Sequence, residues 1–245
     1  MPEQSPTGAR LPVSRRERRK ILTRADLLLA GRKLFSDKGL YESRIEDLTN
    51  SAGIAKGTLY QYFDGRDDLI LAVVADGYQE LRRHVEARLR GARSLEDAVR
   101  RQVEAHLTFF EQNRDLMGIF HQVRGLLKFD QERWRGLRLV LENHVEAMAQ
   151  ELACAPAGRR LRAPQRRTLA LLLYGGVSGY VSVRAALDPR QPLAADPAGV
   201  TEAFVALVRR GGGETGMDRR GQGAFGIPTA APAATSRSVR RPRRA

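Results

Sequence analysis

The 245 residues are 42% hydrophobic and carry 42 Lys/Arg against 28 Asp/Glu, a formal charge of +14. That apolar share can bury one large core or two modest ones, and a single Cys154 excludes an intrachain disulfide and fits a reducing cytoplasm. The longest uncharged run, Thr168 to Val183, falls short of the roughly 20 residues a membrane span needs, so no membrane partner is expected.

Nine of the fourteen charges sit at the ends. Residues 1–20 carry six Lys/Arg against two acids, and residues 211–245 carry seven Arg against two acids. The charge points to a polyanionic partner, but its placement in the termini makes it weak evidence for a DNA-binding fold. Residues 1–20 have no apolar stretch of signal-peptide type and read as a basic flexible arm, whose cluster Arg15 to Lys20 directly precedes the first helix. Such an arm either reaches a DNA groove or its phosphates, or is a solvated leader.

The first helix is expected from Thr23 as N-cap, with Leu27, Ala30, Gly31, Leu34 and Phe35 buried and Gly39 ending it. Residues 43–66 then read SRIEDLTNSAGIAKGTLYQYFDGR. Ser43 and Glu46 form a capping box; Ile45, Leu48 and Ala52 share one helical face. Gly53 supplies a left-handed stop with Ile54 plugging the corner. A second helix is expected over Lys56 to Tyr62, anchored by Leu59 and Phe63. Helix, tight glycine turn and short helix make a helix-turn-helix over about 44–63.

The outward residues of that second helix are Lys56, Gly57, Thr58, Tyr60, Gln61 and Tyr62. They offer a cation, a backbone open to close approach, and hydroxyl and amide hydrogen-bonders, a set suited to phosphates and base edges. The segment GIAKGTLYQYFDGRDDL resembles the recognition-helix signature of the TetR family of transcriptional regulators, and the likeness extends upstream through LFSDKGLYESRIEDL. It covers about sixty residues. Four positions depart from the family pattern: Ala55 stands in place of Ser or Thr, Thr49 in place of a small apolar residue, Gly65 in place of Ser, and Arg66 in place of Lys. Asp64 is expected to cap the next helix instead of Gly65. The resemblance implies double-stranded operator DNA as partner, contacted through Ser43, Arg44, Lys56, Gly57, Thr58, Tyr60, Gln61, Tyr62 and Arg66. Gln61 is the candidate for direct base readout, since its amide can pair bidentately with adenine.

A long helix over about Arg66 to Arg90 carries Leu69, Ile70, Val73, Val74, Gly77, Tyr78, Leu81, Val85 and Leu89 at three- and four-residue spacing. In the family this helix carries the effector signal. Residues 94–153 read as three further helices, the first opened by Ser94. Their aromatic and Met residues suit core packing. The resemblance implies a small-molecule effector pocket among them, partly lined by Phe109, Phe110, Met117, Phe120, His121, Trp134 and His144.

Residues 163–186 form a helix in which Gly175, Gly176, Ser178 and Gly179 let another backbone approach closely. With a last helix over about Ala198 to Arg210, it resembles the C-terminal pair through which TetR-family subunits dimerise. Leu172, Gly176, Gly179, Tyr180, Val183, Phe204, Leu207 and Val208 are the expected interface. A twofold protein also suits DNA reading, because two half-sites one helical turn or a small multiple apart need two recognition helices. From Gly211 the Gly, Pro, Ala, Ser and Arg composition predicts a disordered tail.

No catalytic constellation is present. The four His residues are scattered without metal-ligand spacing, Gly211 to Gly213 lie in low-complexity sequence, and there is no Gly-x-Ser-x-Gly elbow. No cofactor and no metal are expected. The expected organisation is all-α: arm 1–20, an N-terminal three-helix DNA-binding domain 21–81, a helical effector-binding and dimerisation domain 82–210, and tail 211–245. The expected activity is that of a cytoplasmic homodimeric repressor released from a palindromic operator by a small, apolar ligand. A dimerising ligand carrier with vestigial DNA reading, an activator, and a tail-driven non-specific DNA binder remain alternatives.

Overall fold

Glycines set the first corners of the chain. The computed structural model describes residues 15–154, 161–193 and 196–213, all helices, turns and connections, with no strand among them. Helix α1 (Arg15–Glu42) is broken at Gly39, whose φ of 79° and ψ of 164° no side chain with a Cβ adopts without strain. Helix α2 (Ile45–Ala52) ends at Gly53, left-handed at φ 65°, whose N–H returns to the carbonyl of Asn50. Helix α3 (Lys56–Tyr60) follows two residues later.

Helix α1 starts well before Thr23. Arg, Lys and Glu are strong helix formers, and the run from Arg15 to Lys20 continues the helix backward through Thr23 instead of belonging to a flexible arm. Residues 1–14 of the expected arm, and the expected tail from 214 on, lie outside the described residues.

Two expected caps move. Arg44, not Ser43, is the N-cap of α2, and its N–H donates to the Asp47 carboxylate at 3.2 Å. Ser43 is buried and donates its hydroxyl to the carbonyl of Gly39, because the chain must still turn there and that carbonyl needs a partner. At the start of α4 (Arg66–Leu89) the cap comes from inside the helix: Asp68 accepts the N–H of Asp64 at 3.1 Å.

The remaining helices are α5 (Leu95–Gln112), α6 (Arg114–Phe129), α7 (Arg135–Cys154), α8 (Ala163–Leu187) and α9 (Pro197–Gly213). Ser94 caps α5 as expected, accepting the N–H of Asp97 at 3.0 Å. Helix α4 is the spine. Its N-terminal half packs on α1, and the helix as a whole packs on α5, α6 and α7. Its buried stripe of Leu69, Ile70, Val73, Val74, Gly77, Tyr78, Leu81 and Val85 matches the expected one except at Leu89, which is half-buried. Helix α8 packs on α5, α6 and α7, and α9 lies on α5. Helix α8 is long and apolar enough by composition to cross a bilayer. One face of it is nevertheless buried in the bundle through Ala170, Leu173, Tyr174, Val177, Ser178 and Val181.

Candidate functional site

The surface of α3 is organised by what lies beneath it. Leu59 is fully buried and Phe63 nearly so, each worth about 1.5–3 kcal/mol of apolar burial. To seat Phe63 the chain leaves the helix after Tyr60: the N–H groups of Gln61 and Tyr62 bond three residues back, to Thr58 at 3.3 Å and Leu59 at 2.9 Å. The helix therefore stops short of the expected Tyr62, and Tyr62 itself is half-buried. Lys56, Gly57, Tyr60 and Gln61 are exposed and Thr58 is half-buried. Tyr60 keeps 53% of its surface in solvent, a large amount for an aromatic residue.

The charges around α3 are paired. Lys56 Nζ lies 2.6 Å from Glu46, so the hydrogen bond and charge raise Lys56 and lower Glu46 from their ordinary values. Asp47 is lowered chiefly by Lys38, at 2.9 Å, and by the Arg44 N–H. Arg44 is exposed beside them. Arg66 turns the other way, donating to the carbonyl of Tyr41 at 3.3 Å and lying 3.7 Å from Asp67. Buried Ser43 and inward-bonded Arg66 thus hold the corners of the unit, while Arg44, Lys56, Gly57, Tyr60 and Gln61 form its outer face. The substituted Thr49 is buried and satisfied, its hydroxyl donating to the Glu46 carbonyl at 3.1 Å.

The body of the bundle holds a second concentration of function-grade residues. Tyr78 stacks on Phe120, with ring centroids 4.1 Å apart and planes 8° apart, and its hydroxyl lies 2.6 Å from that of Tyr174. His144 sits against both tyrosines at 4.9 and 5.0 Å, and His106 lies 6.0 Å from His144. Phe110 meets Phe120 edge-on, and Phe109 meets Phe110. Burial pushes His106 down to about 4 and His144 to about 3, so both imidazoles are neutral at pH 7.

The residues expected around an effector therefore separate. Phe109, Phe110, Phe120 and His144 belong to one cluster. Met117 is half-buried and turns toward Ser182 of α8. His121 is exposed on the outside of α6. Trp134 is buried elsewhere, under the Arg133 guanidinium, which bonds Asp67 at the start of α4. Helical spacing gives a residue's face but not which neighbouring helix covers it, and α6 presents His121 to solvent. Tyr78, Gln102, His106 and Tyr174 join the cluster without having been expected there. Their signal was a polar group set within an apolar stripe.

At the C-terminal end, Leu172, Val183 and Leu207 are 64%, 59% and 68% exposed, and Gly176 is exposed too. Tyr180, Phe204 and Val208 are partly buried against the core. Gly176 also has an internal neighbour: a Cβ there would come within 2.5 Å of Phe204. The small residue is needed first to admit the Phe204 ring of α9 against α8.

Comparisons with known proteins agree with this arrangement. Residues 27–73 match the model of the tetR family of bacterial regulatory proteins. The chain is 33% identical over 106 residues to the HTH-type transcriptional activator FasR of Mycolicibacterium smegmatis, covering 43% of this chain and 45% of that protein. It is 37% identical over 67 residues to the HTH-type transcriptional regulator HbdR of Aromatoleum, covering 26% and 29%. The matched stretch thus spans less than half the length of these curated relatives.

Two solved structures share the fold over more of the chain. FadR from Bacillus subtilis, solved in complex with stearoyl-CoA, superposes with a TM-score of 0.63 at 16% identity, covering 75% of this chain and 98% of that one. PfmR from Thermus thermophilus gives 0.54 at 21% identity, covering 80% and 96%. Residues 27–73 thus carry the helix-turn-helix of the tetR family of bacterial regulatory proteins, and the helical body that follows shares the fold of these solved regulators.

Proposed function

We propose that the protein is a sequence-specific DNA-binding transcriptional regulator: a homodimeric repressor that leaves a palindromic operator when a small, largely apolar ligand enters the helical body. The observation that carries the reading is the outer face of α3, where Lys56, Gly57, Tyr60 and Gln61 stand exposed over buried Leu59 and Phe63. This is a rigidly seated set of donors, acceptors and an aromatic ring on the helix that the family uses to meet DNA. Arg44 and Lys56 anchor phosphates and Gln61 reads a base edge.

Dimerisation is supported by the exposed apolar residues Leu172, Gly176, Val183 and Leu187 of α8 and Leu207 of α9. Stearoyl-CoA in the similarly folded FadR of Bacillus subtilis favours an apolar effector. Helix α6 offers a route for the signal. Phe120 sits in the ring cluster, while Gln122 accepts the Leu40 N–H at 2.7 Å and Asp115 binds Arg32 of α1. A ligand that favours one placement of α6 over another would shift the angle of α1 and the spacing of the two α3 helices.

The test is selection of bound sequences from random duplex DNA with the full chain at near-physiological salt. A palindromic motif with fixed half-site spacing is expected. Binding that depends on salt alone, with no enriched motif, would leave only phosphate attraction and reject the reading.

A further inference from the structure

Three buried side chains in the ring cluster lack the hydrogen-bond partners that buried groups ordinarily have. His106 Nδ1 lies 2.7 Å from the carbonyl of Gln102, which can only accept, so Nδ1 carries the proton and Nε2 is a bare lone pair. Nε2 has no partner among the described residues. The Gln102 amide donates to Glu151 at 3.4 Å, leaving its Oε1 without one. Neither nitrogen of His144 has a partner among the described residues. Gln102, His106 and His144 are 0%, 1% and 5% exposed.

Sorted by chemistry, the set is lopsided. His106 Nε2, Gln102 Oε1 and one nitrogen of neutral His144 accept, and only the other nitrogen of His144 donates. Arg82, at the cleft's edge, has its charge paired with Glu86 at 2.6 Å, so at the imidazoles an anion would meet mostly lone pairs. A cation would meet the Arg124 guanidinium, which lies 5.7 Å from the Tyr174 ring centroid. No hydrogen bond joins the two imidazoles, whose centroids are 6.0 Å apart, a spacing within reach of a single hydroxyl shared between them. The cluster is open to solvent on its Tyr78 and His144 side, with His106 and Gln102 behind it. A cleft of about 190 Å³ between α4 and α7 is lined by Ala75, Gln79, Arg82, Val140 and Asn143 and floored by Tyr78 and His144. It is several times the ~30 Å³ share of one liquid water.

We propose that His106, His144 and Gln102 form the polar end of the effector site and select an uncharged, otherwise apolar ligand that donates a hydrogen bond from a hydroxyl or amide N–H. The inference rests on the helical body being ligand-responsive and adds the ligand's chemical class. It assigns the polar residues the recognition role, with Phe110 and Phe120 supplying the apolar wall.

The experiment titrates the full chain, without DNA, with phenol, with toluene (the same shape with methyl for hydroxyl) and with benzoate. Phenol is expected to bind about tenfold tighter than toluene, the worth of one net hydrogen bond. At ten times its Kd it should raise Tm by about 3–6 °C, and shift the imidazole nitrogen resonances of His106 and His144. Benzoate should bind more weakly than phenol. His144→Phe should erase the preference of phenol over toluene, and Gln102→Met should reduce it if the first variant does not fold. Equal binding of phenol and toluene, tighter binding of benzoate, or no binding of any probe would overturn the proposal and leave the buried groups to solvent water. None of these outcomes touches the DNA selection. Binding with the phenol signature but no enriched DNA motif would instead keep the site and reject the regulator.

Discussion

Arg32 of α1 reaches Asp115 of α6 with two donors, Nε to Oδ2 and Nη2 to Oδ1, the second at 2.9 Å. The same guanidinium bonds Asn113 at 2.9 Å and Glu80 of α4 at 3.1 Å. One half-buried cation thus ties the helix that carries the helix-turn-helix to the spine and to the α5–α6 junction. Burial alone would raise Asp115, but the hydrogen bond and charge of Arg32 outweigh it and hold the carboxyl below its ordinary value. A fork-to-carboxylate pair fixes orientation as well as distance, so α1 and α6 cannot slide past each other without breaking it.

That geometry sets the first prediction. Arg32→Ala and Asp115→Asn should each lower stability by about 1–3 kcal/mol in urea unfolding, and the double variant should lose much less than their sum. Strict additivity would show that the pair does not couple the helices. In the same variants, ligand should release DNA less effectively than in wild type, because α6 has lost a grip on α1.

Gln61 is exposed at the end of α3, with its backbone fixed by the turn that seats Phe63. Replacing it by Ala should relax preference at one base position per half-site by about 1–3 kcal/mol and leave the preference elsewhere intact. A variant that keeps wild-type preference at every position rules out base readout by this side chain.

The dimer prediction uses residues that make no internal core. Leu172→Arg and Leu207→Arg place a charge on exposed apolar positions and should leave the helical content unchanged. In analytical ultracentrifugation the variants should sediment as monomers at concentrations where wild type is a dimer, and operator affinity should fall at least tenfold. Gly176→Leu is the wrong probe, because a side chain there meets Phe204 of the same chain before it meets a partner.

The buried imidazoles set the acid limb of stability. Each His has a folded value well below the unfolded 6.5, so below that pH the unfolded chain takes up protons that the folded chain does not. Their neutral burial is harmless above pH 6.5, and stability falls as pH drops toward 4. Glu151 acts in the opposite sense: burial raises it to about 7, so it favours the folded state at the acid end of the range between 4.5 and 7. Two histidines outweigh one carboxyl, and wild type should lose stability from pH 6.5 to 4. In the double variant His106→Leu with His144→Phe, that loss should shrink by roughly 3 kcal/mol for each histidine removed. Equal slopes in denaturant titrations across this range would contradict neutral burial.

The sequence by itself determined the local structure and the outward face of α3. Gly39 and Gly53 had to be corners because only glycine takes positive φ cheaply, and the apolar spacing of α4 gave its buried stripe apart from Leu89, which is half-buried. Lys56, Gly57, Tyr60 and Gln61 were legible as outward because Leu59 and Phe63, between and beside them, had to go in. Tertiary structure decided what periodicity does not encode. Burial of Phe63 cut α3 short and half-buried Tyr62; the turn after Gly39 took Ser43 inside; the Tyr41 carbonyl claimed Arg66. It also sorted the expected effector residues, sending His121 to solvent and Trp134 to the start of α7, and brought Tyr78, Gln102, His106 and Tyr174 together from three helices. A helical stripe specifies which side of a helix is buried. Which helices share that core, and which polar atoms are left unpaired there, follows only from how the stripes are packed against one another.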